Sequence, residues 1–240
     1  MANHILKKFD ADLGALIARL FELDDLVAAQ FEHAMTLLVK CHREHGPEVI
    51  ALEERINALH LAIDNDAAQL IVQHQPNASD LRVVLATTRI AAELEEIANA
   101  ITRLGGSADR IHRAGRKDIR HLDSLDALRT AVQSMLQDWR AAFSARDAAV
   151  VAKSARACAA AQETWQELEA LLVESLHVAH TGLGPHLGVE TLRIAEALRE
   201  IAERAALIAA HVAYMARGED YRHRSPEQLD QIFPAAVPGA

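Results

Sequence analysis

Apolar residues recur at intervals of three and four along most of this chain, a spacing that places them on one face of an α-helix. Six long segments carry the pattern, and glycine, proline or short polar residues separate most of them. The predicted helices span about 5–46, 47–74, 77–106, 118–145, 147–179 and 189–216. A short seventh helix is predicted at Ser225, because this N-cap residue precedes Pro226 at the first helical position and Gln228 at the third.

The third and sixth segments are two copies of one sequence. Residues 87–98 return as residues 191–202, with eight of the twelve positions identical. A period of 104 residues has the size of a small domain and is too long for a solenoid repeat. We therefore predict an all-α fold of two tandem, sequence-related three-helix bundles, because three amphipathic helices with short connections bury their apolar faces in that way. The predicted division is a first bundle at 1–106, a hinge segment at 107–117, a second bundle at 118–217 and a C-terminal tail with a short helix at 218–240.

Composition and charge narrow the class of protein. The chain has 240 residues and a formal net charge of −9, with acidic and basic residues interspersed and no basic patch of the kind that binds nucleic acid. The two cysteines show no spacing that indicates a disulfide, which fits a protein of a reducing compartment. The first residues lack the apolar core of a signal peptide, and the longest apolar stretch, 205–216, is too short to span a bilayer. We expect a cytoplasmic protein that does not insert into the membrane.

Residues that could carry catalysis are scarce. One Glu-x-x-His motif occurs, at Glu174 and His177, whereas a ferritin-like di-iron site requires two. His42 and His45 flank Glu44 near a helix end, where we interpret them as capping residues. The sequence contains no glycine-rich phosphate loop and no nucleophile elbow. We expect no catalytic residues and a protein that is not an enzyme.

Two segments closely resemble the PhoU family of phosphate-transport regulators. Residues 75–82 read Gln-Pro-Asn-Ala-Ser-Asp-Leu-Arg and residues 92–99 read Ala-Glu-Leu-Glu-Glu-Ile-Ala-Asn. They are similar to the family's QPxASDLR-like helix start and to its LERIGD-like run, which the second half repeats at 198–203. The start of the chain and its tail at 214–223 also look like the family's, so the resemblance covers nearly the whole chain.

The resemblance implies a function and partners. PhoU proteins are built from two related three-helix bundles, act with a phosphate ABC transporter and a sensor histidine kinase, and repress the phosphate-starvation response when phosphate is plentiful. The expected function is therefore that of a helical adaptor between the transporter ATPase and the kinase, as a homodimer. Two alternatives remain open: a metal-binding or metal-buffering bundle, and a PhoU-like paralogue adapted to another stress-signalling circuit.

The resemblance also implies candidate metal ligands. In the family, pairs of the form (Asp/Glu)-x-x-x-(Asp/Asn), two in each half, are implicated in binding metal ions or multi-iron clusters. Residues four apart share a helix face, so two such helices can direct four oxygen ligands to one ion. The matching positions are Glu53/Asn57 and Glu95/Asn99 in the first half, and Gln162/Gln166 and Arg199/Glu203 in the second.

Most of these positions have lost the acidic residue. Only Glu53, Glu95 and Glu203 remain acidic, and the fixed positive charge of an arginine repels a cation. We expect the second-half site to be lost, with Arg199 forming a salt bridge to Glu203 or Glu163 instead. No cofactor is firmly predicted, and the first half would bind Mg, Mn or Fe weakly at most. The preferred interpretation is that these residues are solvated positions on helix faces.

Candidate contact residues lie at the corner that precedes the third helix and along the repeated helices. They are Gln75, Pro76, Asp80, Arg82, Arg89 and Arg193. Asp80, Arg82 and Arg89 allow two interpretations: an anion site near the start of the helix, or a helix cap with an intrahelical ion pair. The helix cap is the preferred interpretation.

Overall fold

The computed structural model describes residues 2–40, 42–115, 122–177 and 185–234. Seven α-helices occupy these ranges, and no strand occurs in them. Their bounds are α1 Ala2–Lys40, α2 His45–His74, α3 Ala78–Arg113, α4 Leu122–Ala145, α5 Val150–His177, α6 Pro185–Arg217 and α7 Pro226–Ile232. None of the helices in the described ranges combines the length and the apolar character needed to cross a membrane.

The corner between α2 and α3 follows from local chemistry. Gln75 closes α2 in the left-handed region, with φ 46°, and its N–H donates to the carbonyl of Ile71. Pro76 cannot continue a helix because it lacks an N–H. Asn77 then caps α3, its side-chain oxygen accepting from the N–H groups of Ser79 and Asp80 at 2.9 and 3.1 Å. The same logic starts α7, where Ser225 and Gln228 form the predicted capping box.

The predicted end of the third helix at Gly105 and Gly106 is wrong. The helix continues to Arg113, so residues 107–113 of the predicted hinge segment are helical, and residues 116 and 117 lie outside the described ranges. Glycine weakens a helix interior by about 1 kcal/mol relative to alanine but does not break it when packing compensates. Gly105 is buried with the Val49 side chain of α2 beside it, so this position is held by packing.

Two other predicted bounds also shift. The break between the first two helices falls before Gly46-Pro47, which lie in the first turn of α2, where proline is tolerated. The sixth helix begins at Pro185 rather than at Val189, and residues 180–184 of the predicted loop lie outside the described ranges.

The described helices form the predicted pair of three-helix bundles. In the first, α1, α2 and α3 pack on one another, and in the second α4, α5 and α6 do the same. The most extensive packing between any two helices joins α3 to α6, so the two bundles meet through the two copies of the repeat. The apolar residues that the repeat preserves are all fully buried: Ile90, Leu94 and Ile97 of α3, and Ile194, Leu198 and Ile201 of α6.

The two repeat copies run antiparallel. Arg89 of α3 lies beside Tyr214 of α6, Arg103 beside Glu200, and Arg110 beside Glu190. One continuous apolar core extends through this interface from α1 to α6. A smaller cluster holds α7 against α5, with the Tyr221 and Phe233 rings 5.3 Å apart.

Candidate functional site

The first-half acidic pairs are engaged with the protein itself. The Thr102 hydroxyl of α3 donates to Glu53 Oε2 of α2 at 3.0 Å, and Gln30 Nε2 of α1 lies 3.1 Å from both Thr102 Oγ1 and the Val49 carbonyl. Gln30 is fully buried. This chain of polar contacts joins the three helices of the first bundle, so Glu53 has a structural role.

The other first-half pair is closed within one helix. Asn99 Nδ2 donates to Glu95 Oε1 at 3.1 Å, and Asn57, the partner of Glu53 in the motif, is exposed on α2. Only one group of three or more His, Cys, Asp and Glu residues in the described ranges has ligand atoms within 4.8 Å of one another, and it contains neither Glu53 nor Glu95. Weak metal binding at these pairs remains a prediction.

In the second half, the positively charged side chain of Arg199 stands at a position where the family resemblance implies a metal ligand. The Arg199 guanidinium contacts Glu203 and lies 2.6 Å from Glu196 Oε1, while its central carbon lies 5.1 Å from the centre of the Trp165 ring. The hydrogen bond to Glu196 raises the pKa of Arg199 further above its ordinary value. The expected salt bridge to Glu203 is confirmed. Glu163, the other partner considered, takes no part in these contacts.

The predicted contact residues 75–82 form the corner before α3, and Arg82 contacts the chain just beyond α6. Gln75 is exposed at the corner, whereas the Asn77 side chain holds Asp80 at 2.8 Å. Arg82 is half-buried with its side chain against Gly218, the left-handed residue just beyond α6. The expected helix cap is present and is formed by Asn77, whereas Asp80 contacts Asn77 rather than forming the expected intrahelical ion pair with an arginine. These contacts leave only part of the corner available to a partner.

Arg89 and Arg193, the remaining predicted contact residues, lie far from each other. The Arg89 guanidinium stacks over the Tyr214 ring at 4.8 Å, near the end of α6. Arg193 is exposed near the start of that helix and donates to Glu190 at 2.8 Å. Since about 20 helical residues separate the two places, they are ~30 Å apart and do not form one surface.

Charged residues line both ends of the α3–α6 interface. Glu190 is 2% exposed, and Arg110 Nη2 of α3 reaches its carboxylate at 2.8 Å. Burial alone would raise the pKa of Glu190, but its contacts with Arg110 and Ser107 outweigh burial and lower it. Toward the other end, Glu93 of α3 meets Arg204 at 3.1 Å. Neutralising either carboxylate would leave an arginine without its partner at the interface.

A second contact between the bundles joins α1 to α4, and sequence reasoning missed it. Trp139 is buried in α4 and donates from Nε1 to Asp24 Oδ1 of α1 at 3.1 Å. Burial raises the pKa of Asp24 to about 6, although the Trp139 hydrogen bond and the nearby Arg140 charge both act to lower it. No local pattern signals a pair that lies 115 residues apart in the chain.

The interpretation of His42, Glu44 and His45 as capping residues is wrong in two respects. Glu44 occupies the N-cap position of α2 but its side chain makes no capping hydrogen bond. His45 is the first residue of α2, at the positive end of the helix dipole, where an imidazolium is disfavoured. These three residues form the one group of potential metal ligands noted above. The Glu-x-x-His motif cannot be compared, because the side chain of His177 lies outside the described residues.

A line of exposed apolar side chains follows α2, and sequence reasoning missed this as well. Ile50, Leu61 and Val72 are 55%, 63% and 77% exposed. They recur every 11 residues, which is close to three helical turns, so all three lie on one face. The buried face of α2, carried by Val49, Ile56 and Ile63, is a different one. The spacing of 11 residues between these apolar positions is the pattern from which this exposed face could have been predicted.

These features define an all-α protein of two three-helix bundles, with residues at the interface engaged in structural ion pairs and long helix faces open to solvent. Residues 20–107 match the family model described as the PhoU domain. A phosphate-specific transport system accessory protein PhoU homolog from a Burkholderia species is 31% identical over 236 residues, which cover 95% of this chain and 97% of the relative. The chain belongs to the PhoU family.

Further relatives and solved structures agree. The phosphate-specific transport system accessory protein PhoU of Escherichia coli (strain K12) is 26% identical over 237 residues, covering 96% of this chain and 94% of the relative. The crystal structure of PhoU from Pseudomonas aeruginosa matches with a TM-score of 0.82 at 22% identity, covering 88% of this chain and 100% of that one. The phosphate transport system regulatory protein PhoU from Streptococcus pneumoniae matches with a TM-score of 0.80 at 21% identity, covering 89% and 99%. The two structures support the fold.

Proposed function

We propose that this protein regulates phosphate uptake and represses the phosphate-starvation response when phosphate is plentiful. It acts as a cytoplasmic, non-enzymatic homodimer that links the ATPase subunit of a phosphate ABC transporter to a sensor histidine kinase. The observation that carries this proposal is the similarity, over 95% of the chain, to a relative named for the phosphate-specific transport system. The departures from the family's acidic pairs, above all Arg199, favour protein contact over metal buffering as the mechanism.

The exposed face of α2 that carries Ile50, Leu61 and Val72 supports a docking role. From the first to the last of these residues the face extends over ~33 Å at 1.5 Å per residue. Apolar side chains left in water on one face of a long helix provide a favourable contact for a partner that covers them. Glu54 and Asp64 are exposed on the same face, so the partner should present apolar residues accompanied by lysine or arginine.

We assign the ATPase subunit of the transporter to this α2 face. The kinase then takes the corner before α3, where Gln75 is exposed just beyond the Val72 end of this face. A protein that contacts both partners at separate places can convert the state of the transporter into a change in kinase output, provided each partner favours a different conformation or orientation of the bundles.

Deletion of the gene in its host tests the regulatory role. The expected result is expression of an alkaline phosphatase reporter in phosphate-rich medium, reversed by a plasmid copy of the gene. Repression that persists after deletion would refute phosphate control and would favour the paralogue in another signalling circuit. A double Glu53→Gln and Glu95→Gln variant should restore repression as well as the wild type does, whereas failure would favour the metal-buffering alternative.

Pull-down with the purified ATPase subunit and with the kinase tests the adaptor role. The Ile50→Glu and Leu61→Glu double variant, which leaves the Gln75 corner unchanged, is expected to lose the ATPase and to keep the kinase. Leu171→Glu on α5 is the matched control, because Leu171 is also an exposed leucine on a long helix, at 45% exposure. Equal capture of the ATPase by all three proteins would refute the α2 face, and absence of capture by the wild type would refute the adaptor.

A further inference from the structure

Three potential metal ligands lie close together where α1 turns into α2, and a fourth, His33, contacts one of them. His33 Nδ1 of α1 lies 2.7 Å from His45 Nδ1, the first residue of α2. His42 stacks on His45 with ring centroids 6.1 Å apart and rings 8° from parallel, and its Nδ1 lies 3.7 Å from Glu44 Oε1. One ligand atom each from His42, Glu44 and His45 lies within 4.8 Å of the others. His42, Glu44 and His45 thus form a group of three potential ligands, and His33 reaches this group through its contact with His45.

The contact between His33 and His45 is unusual for side chains with a purely structural role. Two imidazole nitrogens at 2.7 Å have room for one proton between them, so one ring donates while the other presents its lone pair. If that proton moves to Nε2 of the same ring, both Nδ1 lone pairs are directed at the same space, which is the arrangement a cation satisfies.

The turn does not need these side chains in order to form. Backbone hydrogen bonds close it, from the His45 N–H to the His42 carbonyl at 3.1 Å and from the Gly46 N–H to the Arg43 carbonyl at 3.2 Å. Glu44 makes no capping bond with its carboxylate. Arg43, which stands within the same connection, has its guanidinium 3.3 Å from Asp109 of α3 and so is neutralised by a different carboxylate.

We propose that His33, His42, Glu44 and His45 form a binding site for a divalent transition-metal ion, with Zn²⁺ as the ion that fits best. Zinc is held by four nitrogen, sulfur or oxygen ligands in a tetrahedron, with bonds of ~2.0–2.1 Å to histidine. Ligand atoms then lie ~3.3–3.5 Å apart. The two Nδ1 atoms, now 2.7 Å apart, must separate by roughly 0.6–0.8 Å, while His42 and Glu44 move inward.

The adjustment required is small because of where the residues lie. The side chains of His42 and Glu44 are 53% and 71% exposed and belong to the connection between the helices, so they are free to turn inward without disturbing the core. His33 and His45 are half-buried and fix the position of the site. A bound ion would hold the end of α1 to the start of α2 beside Arg43 and Asp109, at the end of the bundle opposite Gln75.

This site differs in chemistry from the acidic pairs at Glu53 and Glu95. Imidazole ligands suit zinc, copper and nickel, whereas carboxylate, amide and water ligands suit magnesium and manganese. The two places can therefore be distinguished by the ion that binds and by the residue whose removal abolishes binding.

The test is a competition titration of the full chain, free of any affinity tag and stripped of metal, with Zn²⁺ against a chromogenic chelator. One zinc per chain is expected, with visible d–d bands of tetrahedral type when Co²⁺ replaces zinc. The His42→Ala and His45→Ala double variant should weaken binding by at least ~100-fold, and His33→Asn by at least ~10-fold. The control is His60→Ala, which removes a histidine from the same helix that pairs with Asp64 at 3.7 Å, outside the cluster.

Far-UV circular dichroism and thermal unfolding without metal establish that each variant is folded. Unchanged zinc affinity in the double variant would overturn the proposal. So would loss of zinc in a Glu53→Gln and Glu95→Gln variant with retention in His42→Ala and His45→Ala. Binding of several zinc ions without saturation, or an octahedral Co²⁺ spectrum, would show adventitious binding by surface histidines and would overturn it equally.

Discussion

Replacing Asp24 with asparagine is expected to stabilise the protein near neutral pH. Asp24 lies at the contact between α1 and α4, where its side chain is 14% exposed and accepts a hydrogen bond from Trp139. An asparagine oxygen can accept the same bond at the same place. The substitution removes a carboxylate charge that the surroundings disfavour, without removing the acceptor that the buried indole needs.

The size of the expected gain in unfolding free energy follows from the pKa of Asp24. Burial raises the pKa of Asp24 from 3.8 to about 6 despite the opposing effect of Arg140. Each pKa unit is equivalent to about 1.4 kcal/mol, so the charged carboxylate costs the folded state about 3 kcal/mol. The asparagine amide also needs a donor partner, which lowers the expected gain in unfolding free energy to about 1–2 kcal/mol at pH 7.5.

The pH dependence has a defined sign. Since the folded state holds the Asp24 proton more tightly than the unfolded state, the wild type loses stability as the pH rises from about 4 to about 6. The asparagine variant lacks this loss, so the stability difference between the two proteins should be small near pH 4 and complete above about pH 6.5. Urea unfolding followed by circular dichroism at several pH values measures both quantities.

Asp25→Asn is the matched control. Asp25 is the neighbouring aspartate, 66% exposed, and its carboxylate lies 2.6 Å from Arg140. Exposed ion pairs contribute about 0–1 kcal/mol, so this variant should be equal to or slightly less stable than the wild type. An Asp24→Asn variant that is no more stable than the wild type at pH 7.5, or whose advantage does not shrink toward pH 4, would contradict the reasoning.

Three further substitutions probe the packing and the ion pairs. Gly105→Ala should raise the unfolding free energy by about 0.5–1 kcal/mol in urea titrations, because alanine has the higher helix propensity. The added Cβ would meet Val49 at an ordinary van der Waals distance of 3.5 Å. A lower unfolding free energy would mean that α2 and α3 have no room for the methyl group. Glu190→Gln should lower the unfolding free energy by about 1–3 kcal/mol at pH 7, because Arg110 loses its carboxylate partner. Since the fold lowers the pKa of Glu190, the stability difference from the wild type should close as the pH falls below about 4. A stability difference that does not change with pH would refute the ion pair. Asn77→Ala should cost about 1 kcal/mol in thermal unfolding by removing the N-cap of α3, whereas Asn77→Asp, which still accepts the capping bonds, should not.

Local patterns in the sequence anticipated the helices and much of the core. The residues spaced by three and four in the third helix, from Ile90 to Leu104, are all fully buried, as predicted. The N-cap at Asn77 and the capping box at Ser225 were equally readable, because capping depends on residues within four positions of one another.

What the sequence did not reveal depends on contacts between distant segments. Gly105 was predicted to end a helix that in fact continues, since only the packed Val49 of α2 shows why glycine stands there. The Trp139–Asp24 bond and the approach of His33 to His45 arise from packing between helices, which periodicity does not determine. The salt bridge of Arg199 was predictable because its partner lies one turn away on the same helix.

The antiparallel pairing of α3 with α6 gives the molecule the symmetry of a two-fold dimer within one chain. When the two-fold axis of a dimer is perpendicular to a helix at its interface, that helix and its copy run in opposite directions, which is how the two repeats lie. In a true dimer every substitution occurs on both sides of the axis. Joining the subunits into one polypeptide removes that constraint, so Glu95 and Arg199 can stand at equivalent positions of the two copies. A fused dimer of this kind can present different faces to different partners while its two halves keep the same buried isoleucines and leucines.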